Sequence, residues 1–409
     1  MADQKIKVII IGGGFAGMIT AVRLAGKARR RVEITLVNGT DVFIRRLRLH
    51  EYATDQHVPQ TPIATMLRGT GVKFVQEWVT AIHPEQHTVS VNTDSGQREL
   101  AYDKLVYALG SRVDQEAVPG VRDHAFVLNP GGPMGAPQLR ERLHDLANAS
   151  ARVVVVGGGA TGIEAAAQIK SFHPGFEVQI VTQGKFGAFK NDTVRRHMLQ
   201  SFEKQGIAIR ENVTVQAVEA NAVIGTDGTH IPADLILWAG GFKAPALAKE
   251  AGLPVNERNQ ILVDSLLRSS ASPDIFAVGD SAWPVEEPGA PFRMSVFAAL
   301  VSGAHVADNL ARLTKGRTMK PLSFAYYGQA VTLGAKDAVG FATFPADQAV
   351  GPIYRGQAAV KLRNFFVWFL TFAIAMERII PGFLFWMGKG RYAVAQRRAQ
   401  KQADSRVSV

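Results

Sequence analysis

The chain has 409 residues, of which 47% are hydrophobic and 20% are charged, and its formal net charge is +11. This composition excludes a disordered or fibrous chain, and the length predicts about two or three folded domains. The sequence contains no cysteine, which excludes disulfides, thiolate nucleophiles, iron–sulfur clusters and cysteine-ligated zinc. No other metal-ligand spacing and no nucleic-acid-binding motif is present, so we expect neither a metal site nor a nucleic-acid partner.

The first predicted element is a strand over the apolar run Ile6–Ile11, which a glycine-rich turn follows directly. In a Gly-x-Gly-x-x-Gly turn the first glycine permits a tight bend, the second lets a pyrophosphate approach the backbone, and the third lets the helix pack on the strand. Because this strand begins almost at the first residue, we expect no signal peptide and a cytoplasmic protein. The predicted dinucleotide contacts are Gly12, Gly14, Phe15, Ala16 and Gly17.

The second predicted strand, Val32–Val37, ends at Asn38. An acidic residue usually occupies this place and binds the hydroxyl groups of the adenosine ribose. The Asn38 side chain can still accept a hydrogen bond, so the sequence predicts a ribose contact there.

The glycine pattern occurs a second time, after the predicted strand Val153–Val156, as Gly157, Gly159 and Gly162. Two such turns in one chain predict two bound dinucleotides, and hence the passage of electrons from one to the other. The next strand ends without an acidic residue that would repel the 2′-phosphate of NADPH, and Lys185 nearby could attract it. We therefore expect either NADH or NADPH.

Two further predicted strands end at glycine turns, one containing Gly110 and the other Gly279 and Asp280. With both glycine loops in this order, the chain resembles the two-dinucleotide flavoprotein reductases. The resemblance implies that the first loop binds FAD and that Asp280 binds the flavin ribitol. It also implies that Glu164, in the helix after the second loop, is a catalytic residue that orients the nicotinamide over the flavin.

In the same family, a loop equivalent to Phe43–Tyr52 passes near the flavin. Arg45, Arg46 and Arg48 in this loop could contact the FAD pyrophosphate or face solvent, and the pattern assigns no role to His50. Hydride transfer between bound cofactors requires no nucleophilic triad or paired carboxylates, and none is found in the sequence.

A helix predicted over Ser295–Leu310 resembles one in the type II NADH:quinone oxidoreductases. In that branch the helix lies beneath the flavin, and two of its glutamines flank the quinone. The corresponding residues here are Phe297 and Val301. The resemblance therefore implies an apolar acceptor pocket, which could hold a quinone ring or another aromatic acceptor.

The last part of the sequence contains two apolar runs, Phe365–Met376 and Ile379–Met387, which are followed by a basic tail. Neither run reaches the roughly 20 residues that span a bilayer. Aromatic apolar runs beside lysine and arginine predict helices that lie in the membrane surface, on the inner face of the cell membrane. Alternatively, the runs cover the flavin domain or form a homodimer interface.

The predicted fold is α/β, with two doubly wound Rossmann-type dinucleotide-binding domains and a C-terminal extension with apolar helices. We assign residues 1–113 and 243–325 to a split FAD-binding domain, 114–242 to the NAD(P)-binding domain, and 326–409 to the C-terminal domain. The predicted activity is electron transfer from NADH or NADPH through FAD to a quinone-like acceptor. The alternatives are a soluble reductase that acts on a small redox protein or aromatic metabolite, and a flavin-binding redox sensor with slow turnover.

Overall fold

The computed structural model describes residues 5–93, 96–148, 150–187, 191–343 and 349–388. The basic tail from Lys389 onwards lies outside these ranges. Two five-stranded parallel sheets form the centre of the molecule, and the middle strand of each leads into a glycine loop. The predicted pair of doubly wound domains is thus confirmed.

The first sheet has its earliest strand in the middle, and the chain adds strands first on one side and then on the other. The direction of winding changes between Ile6–Ile11 and Lys104–Tyr107, so the carboxyl ends of these strands border a crevice. The strand order is Ile275–Ala277, Lys104–Tyr107, Ile6–Ile11, Val32–Val37 and Lys73–Val75.

The second sheet also has all strands parallel, and its middle strand again leads into a glycine loop, but its earliest strand, Phe126–Val127, lies at one edge. Its crevice lies between Arg152–Val156 and Leu235–Trp238, just beyond which the second glycine loop begins. The strand order is Phe126–Val127, Leu235–Trp238, Arg152–Val156, Glu177–Val181 and Ala208–Arg210.

Helices Phe15–Ala28 and Ala160–Phe172 leave the two glycine loops. The first packs closely against helix Val296–Leu313. This close approach requires glycine at position 303, because a Cβ atom on Gly303 would lie 2.5 Å from the Ala16 carbonyl oxygen. The Ser295 side chain caps the latter helix by accepting from the Ala298 N–H. The other helices are Leu49–Ala53, Ile63–Leu67, Val121–His124, Ala136–Asp145, Asp192–Gln205, Leu247–Glu250 and Gly356–Ile379.

Smaller sheets complete the fold, and they are antiparallel except for the parallel pair Ile261–Val263 and Ala282–Pro284. Arg112–Val113 pairs with Phe242–Lys243, where the chain leaves the first domain and returns to it. This pairing coincides with the domain boundaries proposed from the sequence, which stay a prediction. The remaining sheets are Trp78–His83/Thr88–Thr93/Gly96–Ala101, Val215–Glu219/Ala222–Gly225/His230–Pro232, Gly328–Thr332/Ala338–Ala342/Val350–Arg355, Val42–Phe43/Thr61–Pro62 and Ile261–Val263/Ala282–Pro284.

The C-terminal helix corrects two predictions. A single helix of 24 residues, Gly356–Ile379, replaces the first of two short ones, and by length and composition alone it could cross a membrane. It continues through Glu377 because that side chain is buried and accepts from Arg23 Nη1 at 2.6 Å. The second apolar run is not helical in the described residues 380–388: Pro381 follows the helix end, and the chain then packs Leu384 and Trp386 into the core of the first domain.

Candidate functional site

One cleft of about 490 Å³ lies at the crevice of the first sheet and extends to the second domain. The first domain contributes its glycine loop and the ends of several strands, and the second domain contributes Leu128, Pro130, Thr161 and Glu164. A dinucleotide in the first loop would therefore meet one bound to the second domain. The predicted first-domain contacts that line this cleft are Gly12, Gly14, Phe15, Ala16, Asn38, Gly110, Gly279 and Asp280.

The three glycines of the first loop have different surroundings. Gly12 has a φ of +103°, and a Cβ atom there would lie 2.4 Å from the Ala108 carbonyl oxygen. A Cβ on Gly17 would lie 1.9 Å from the Gly12 oxygen, so the third glycine is required by packing. Around Gly14 no protein atom lies within 4 Å of that position. The second glycine thus borders open space, as binding of a pyrophosphate at the helix N-terminus requires.

The second loop has the same geometry. Gly157 has a φ of +123°, and a Cβ on Gly162 would lie 1.9 Å from the Gly157 oxygen. Gly159 again has no protein atom within 4 Å of an added Cβ. Both loops therefore leave room for a phosphate group at the same step of the turn, and the residues present fit two dinucleotides.

Asn38 is attached to the first glycine loop. Its Oδ1 accepts from the Gly13 N–H at 2.8 Å, and its Nδ2 donates to the Thr40 oxygen at 2.8 Å. The amide thus holds the loop against the end of the second strand. One lone pair of Oδ1 stays available for a ribose hydroxyl.

Asp280 lies at the floor of the cleft and accepts from Ser111 Oγ at 2.7 Å. Burial raises the pKa of this carboxyl group, while the Ser111 hydrogen bond and the nearby Arg46 guanidinium oppose the increase. The next residue, Ser281, donates to the Gly110 oxygen at 3.1 Å and so joins the two predicted glycine turns. A carboxylate held in this way can accept hydrogen bonds from ligand hydroxyls.

The structure separates the three arginines that the sequence left unassigned. Arg46 lines the cleft, and burial lowers its pKa while Asp280 raises it. Arg48 instead forms an ion pair with Glu51, Nε to Oε2 at 2.6 Å. Arg45 Nη1 donates to the Pro59 oxygen at 3.0 Å. Only Arg46 of the three is placed to contact a cofactor in the cleft.

Glu164 reaches the cleft from the second domain, and its Oε1 accepts from the Thr332 N–H at 3.1 Å. His50 also lines the cleft and is only 4% exposed. Burial lowers the pKa of this imidazole and so favours its neutral form; Glu164 opposes the effect and Arg363 adds to it. Sequence reasoning missed His50 because its neighbours come from distant parts of the chain: Arg363 is 313 residues away.

The predicted acceptor residues do not line the cleft, to which their helix presents Val296 and Ala299. Val301 is fully buried in the core of the first domain. Phe297 packs in an aromatic cluster, with ring centroids 5.6 Å from Tyr326 and 5.2 Å from Tyr327. Of the two, only Phe297 has a surface that an acceptor could meet without repacking of the core.

The end of strand Glu177–Val181, in the second domain, is the place where NADH and NADPH would be distinguished. Lys185 is exposed there, as the 2′-phosphate hypothesis requires. An acidic residue, Glu211, comes from the neighbouring strand, but it pairs with Arg195 at 2.7 Å and accepts from the Phe186 N–H at 2.7 Å. Within the part of the chain that the structure describes, no group of three or more histidine or acidic side chains could hold a metal ion.

Comparison with known proteins identifies the family. The family model described as pyridine nucleotide-disulphide oxidoreductase matches residues 6–305. The chain belongs to this family. The match covers both glycine loops and extends to the helix beneath the cleft. The disulfide in the family description has no counterpart here, because the sequence contains no cysteine.

Two sequence relatives and one solved structure are similar to most of the chain. The chain is 30% identical over 356 residues to demethylphylloquinone reductase of Synechocystis sp., covering 83% of this chain and 87% of that protein. It is 25% identical over 389 residues to a type II NADH:quinone oxidoreductase of Haemophilus influenzae, with coverages of 82% and 87%. Among solved structures it resembles the sulfide:quinone oxidoreductase of Aquifex aeolicus, with a TM-score of 0.78 at 20% identity over 93% and 94% of the two chains, which shows the fold alone.

Proposed function

We propose that this protein is an FAD-dependent NAD(P)H dehydrogenase that passes electrons to a quinone. The observation that carries this proposal is the single cleft that joins the first glycine loop and Asp280 to Glu164 of the second domain. Two relatives that match most of the chain are named as quinone reductases. Without cysteine, a disulfide cannot relay electrons to the acceptor.

FAD is assigned to the domain formed by residues 1–113 and 243–325. The open space at Gly14 accommodates its pyrophosphate, Asn38 its adenosine ribose, and Asp280 its ribitol hydroxyls. A bound flavin supplies two-electron chemistry, accepting a hydride from a nicotinamide. Arg46, next to Asp280, adds a positive charge on the same side of the cleft.

NADH or NADPH is assigned to residues 114–242, with its pyrophosphate at Gly159. Glu164 would then orient the nicotinamide, and the backbone of Thr332 fixes the Glu164 carboxylate. With Lys185 exposed and Glu211 paired to Arg195, neither nucleotide is strongly rejected. We expect their kcat/KM values to agree within roughly 100-fold, about 2.7 kcal/mol. The substitution Lys185→Glu is expected to lower kcat/KM for NADPH more than for NADH. The control is Lys204→Glu, at the opposite end of helix Asp192–Gln205 from Arg195.

The third domain, residues 326–409, is assigned to peripheral contact with the inner face of the cell membrane. Large apolar side chains are exposed along and after the C-terminal helix: Phe365, Phe366, Trp368, Ile379, Ile380, Phe385 and Met387. A basic ridge formed by Arg29, Arg30 and Arg31 continues this surface, since Lys27 just before it lies against Gly382. Anionic lipid suits this combination. The alternative occupant of the apolar face is a second copy of the chain.

An acceptor test on the purified protein distinguishes the three functions. A quinone reductase is expected to contain FAD that NAD(P)H bleaches without oxygen and that a quinone rapidly re-oxidises. Reduction of a protein acceptor or an aromatic metabolite without quinone activity would indicate the soluble reductase. Slow re-oxidation by every acceptor would indicate a sensor. The substitution Asp280→Ala is expected to weaken FAD binding at least tenfold, roughly the worth of a hydrogen bond to a charged group.

A further inference from the structure

One buried titratable side chain of the cleft has no role in the proposed function. His50 lines the cleft from helix Leu49–Ala53 and is only 4% exposed. Thr54 Oγ1 donates to the His50 carbonyl oxygen at 3.0 Å and fixes the backbone there. An imidazole beside a cofactor cleft can donate a hydrogen bond, accept one or take up a proton. Which of these His50 does depends on the groups around its ring.

His50 lies where the two domains meet. Asn38, the proposed ribose contact, borders the part of the cleft next to the first glycine loop. Glu164 reaches the cleft from the second domain and faces His50, since its charge raises the pKa of the imidazole. In the proposed function the nicotinamide meets the flavin between the domains. His50 therefore borders the reacting end of the cofactors.

The C-terminal helix holds one nitrogen of the ring. Arg363 Nη2 donates to His50 Nε2 at 3.5 Å, the upper limit for a hydrogen bond, and also to the Leu47 oxygen at 3.4 Å. Arg363 is 5% exposed, and its Nη1 forms an ion pair with Glu51. Because an arginine side chain can only donate, Nε2 is the accepting nitrogen of the imidazole.

The charges around the ring keep it neutral. Glu51 pairs with both Arg363 and Arg48, so this cluster of two guanidinium groups and one carboxylate has one net positive charge. It lies against Nε2, where a second proton would be added. Burial lowers the pKa of His50, and the two arginines lower it further, while Glu164 and Glu51 oppose the decrease. The imidazole is therefore a neutral group at pH 7.

A neutral imidazole whose Nε2 accepts carries its hydrogen on Nδ1. Nδ1 forms no hydrogen bond within the part of the chain that the structure describes, and Glu164 accepts instead from the Thr332 N–H at 3.1 Å. Nδ1 is not among the unpaired polar atoms that are inaccessible in those residues, so it keeps contact with the cleft. The cleft thus contains a fixed, neutral donor that a bound cofactor can use.

We propose that the Nδ1–H group of His50 donates a hydrogen bond to the bound flavin and stabilises its reduced form. This inference deepens the proposed function and rests on it. Hydride transfer from NAD(P)H releases NAD(P)⁺ and leaves one additional negative charge on the flavin. A hydrogen bond to a charged acceptor is stronger than one to a neutral acceptor, so the donor favours the reduced state. The quinone then accepts the hydride equivalent and one proton from water, and His50 ends the reaction unchanged.

The test uses the full-length, FAD-loaded protein and two substitutions of His50. In His50→Asn the amide nitrogen can take the place of Nδ1, because both are bonded to Cγ, and the donor is retained. His50→Leu has a similar volume but no donor. The control is His83→Gln, because the His83 side chain is 42% exposed and does not line the cleft. FAD content and melting temperature establish that each variant folds.

The midpoint potential of the bound FAD is measured by anaerobic redox titration against reference dyes. We expect His50→Leu to favour oxidised over reduced FAD about tenfold relative to the wild type, a fall of about 30 mV for a two-electron couple. His50→Asn and His83→Gln should stay within about threefold of the wild type. The difference between His50→Leu and the wild type should be constant from about pH 6.5 to about pH 8.5, because a neutral donor does not titrate there.

A second measurement does not depend on the variants retaining FAD. Nitrogen NMR of the wild-type protein with isotope-labelled histidine reports which ring nitrogen carries the hydrogen, and His50→Asn assigns the His50 signals. We expect a neutral ring with its hydrogen on Nδ1. Reduction of the bound FAD should shift the Nδ1 signal, because the acceptor of its hydrogen bond becomes charged.

Different failures identify different errors. Equal midpoint potentials in the wild type and His50→Leu, or a hydrogen on Nε2, would overturn this inference and leave the proposed function intact. A difference that disappears as the pH rises would show that a protonated His50 acts on the flavin, and would overturn the neutral donor. If His50→Leu does not retain FAD, the NMR measurement decides alone. A wild-type protein that binds no FAD, or whose FAD is not reduced by NADH, would overturn the proposed function.

Discussion

Arg23 and Glu377 form a buried ion pair, with Arg23 Nη1 2.6 Å from Glu377 Oε1. It joins the helix that leaves the first glycine loop to the end of the C-terminal helix. Glu377 also accepts from the N–H groups of Gly382 and Leu384, and Arg23 also contacts Asp308, Nε to Oδ1 at 2.8 Å. The ion pair therefore fixes the C-terminal helix to the cofactor-binding domain and shapes the turn that follows it.

Removal of Glu377 is expected to destabilise the protein strongly. Glu377→Ala leaves Arg23 buried with only one acidic partner, and breaking a buried pair costs about 3–5 kcal/mol in unfolding free energy. The value should lie near the lower limit because Asp308 remains. Chemical denaturation measures the change, and Glu116→Ala is the control, because Glu116 and its partner Arg122 are both exposed. Equal effects of the two substitutions would show that the buried pair has no special role.

Stability is expected to depend on pH through His50. Burial lowers the pKa of its imidazole below the ordinary 6.5, with Glu164 and Glu51 opposing the shift and Arg363 and Arg48 adding to it. Below pH 6.5 His50 binds a proton in the unfolded chain but not in the folded chain. The contribution of the neutral His50 side chain to the free energy of unfolding is therefore complete above pH 6.5 and is lost as the pH falls. The slope contributed by one histidine cannot exceed about 1.4 kcal/mol per pH unit.

His50→Gln should flatten the fall in melting temperature between about pH 6.5 and 5, whatever its effect at neutral pH. His83→Gln is the control, since the His83 side chain is 42% exposed and lies on a small antiparallel sheet. Parallel pH profiles for the wild type and His50→Gln would contradict the assignment of a neutral, buried imidazole.

A substitution in the second glycine loop is expected to block NAD(P)H binding without affecting FAD binding. Gly159 has no protein atom within 4 Å of an added Cβ, so Gly159→Val should fold normally but occupy the space required by the NAD(P)H pyrophosphate. The rate of anaerobic flavin bleaching by NADH should fall at least tenfold at unchanged FAD content. Gly175→Val, at another open position on a surface turn, should behave as the wild type. Normal bleaching in Gly159→Val would contradict the two-nucleotide assignment.

Membrane binding is best tested by substitutions rather than by truncation. Deletion of residues 365–409 would also remove Glu377, Leu384 and Trp386, which belong to the first domain's packing. The triple variant Phe365→Ser, Phe366→Ser and Phe385→Ser instead changes only exposed side chains. It is expected to lose most binding to vesicles that contain anionic lipid, as measured by sedimentation, with Phe172→Ser as an exposed control.

High salt should release the wild-type protein only in part, because it screens the basic residues but leaves the apolar contact intact. A wild-type protein that does not sediment with anionic vesicles would favour the second copy of the chain as the partner of this face. Analytical ultracentrifugation would then show a dimer that the triple variant lacks.

Local sequence patterns predicted the parts of the molecule that depend on neighbouring residues. Gly12, Gly17, Gly157 and Gly162 pack as their spacing requires, because each turn is determined by the residues that directly follow its strand. Distant contacts were not predictable in this way. In the sequence Glu377 interrupts an apolar run. Its role in the structure could not be predicted, because its partner Arg23 is 354 residues away.

The pairing of Arg112–Val113 with Phe242–Lys243 places the two ends of the proposed second nucleotide domain next to each other. The outgoing and returning chains run side by side, so excision of residues 114–241 leaves two ends at hydrogen-bonding distance. A turn of a few residues could close this gap. We expect the shortened chain to lose any response to NAD(P)H and also to be destabilised, because Leu49, Val331 and Phe341 share a hydrophobic core with the excised residues. Flavin content, bleaching and melting temperature measure the outcome. The chain thus carries this nucleotide-binding segment as an insertion at one position of the sequence, while the core of that segment is shared with the rest of the fold.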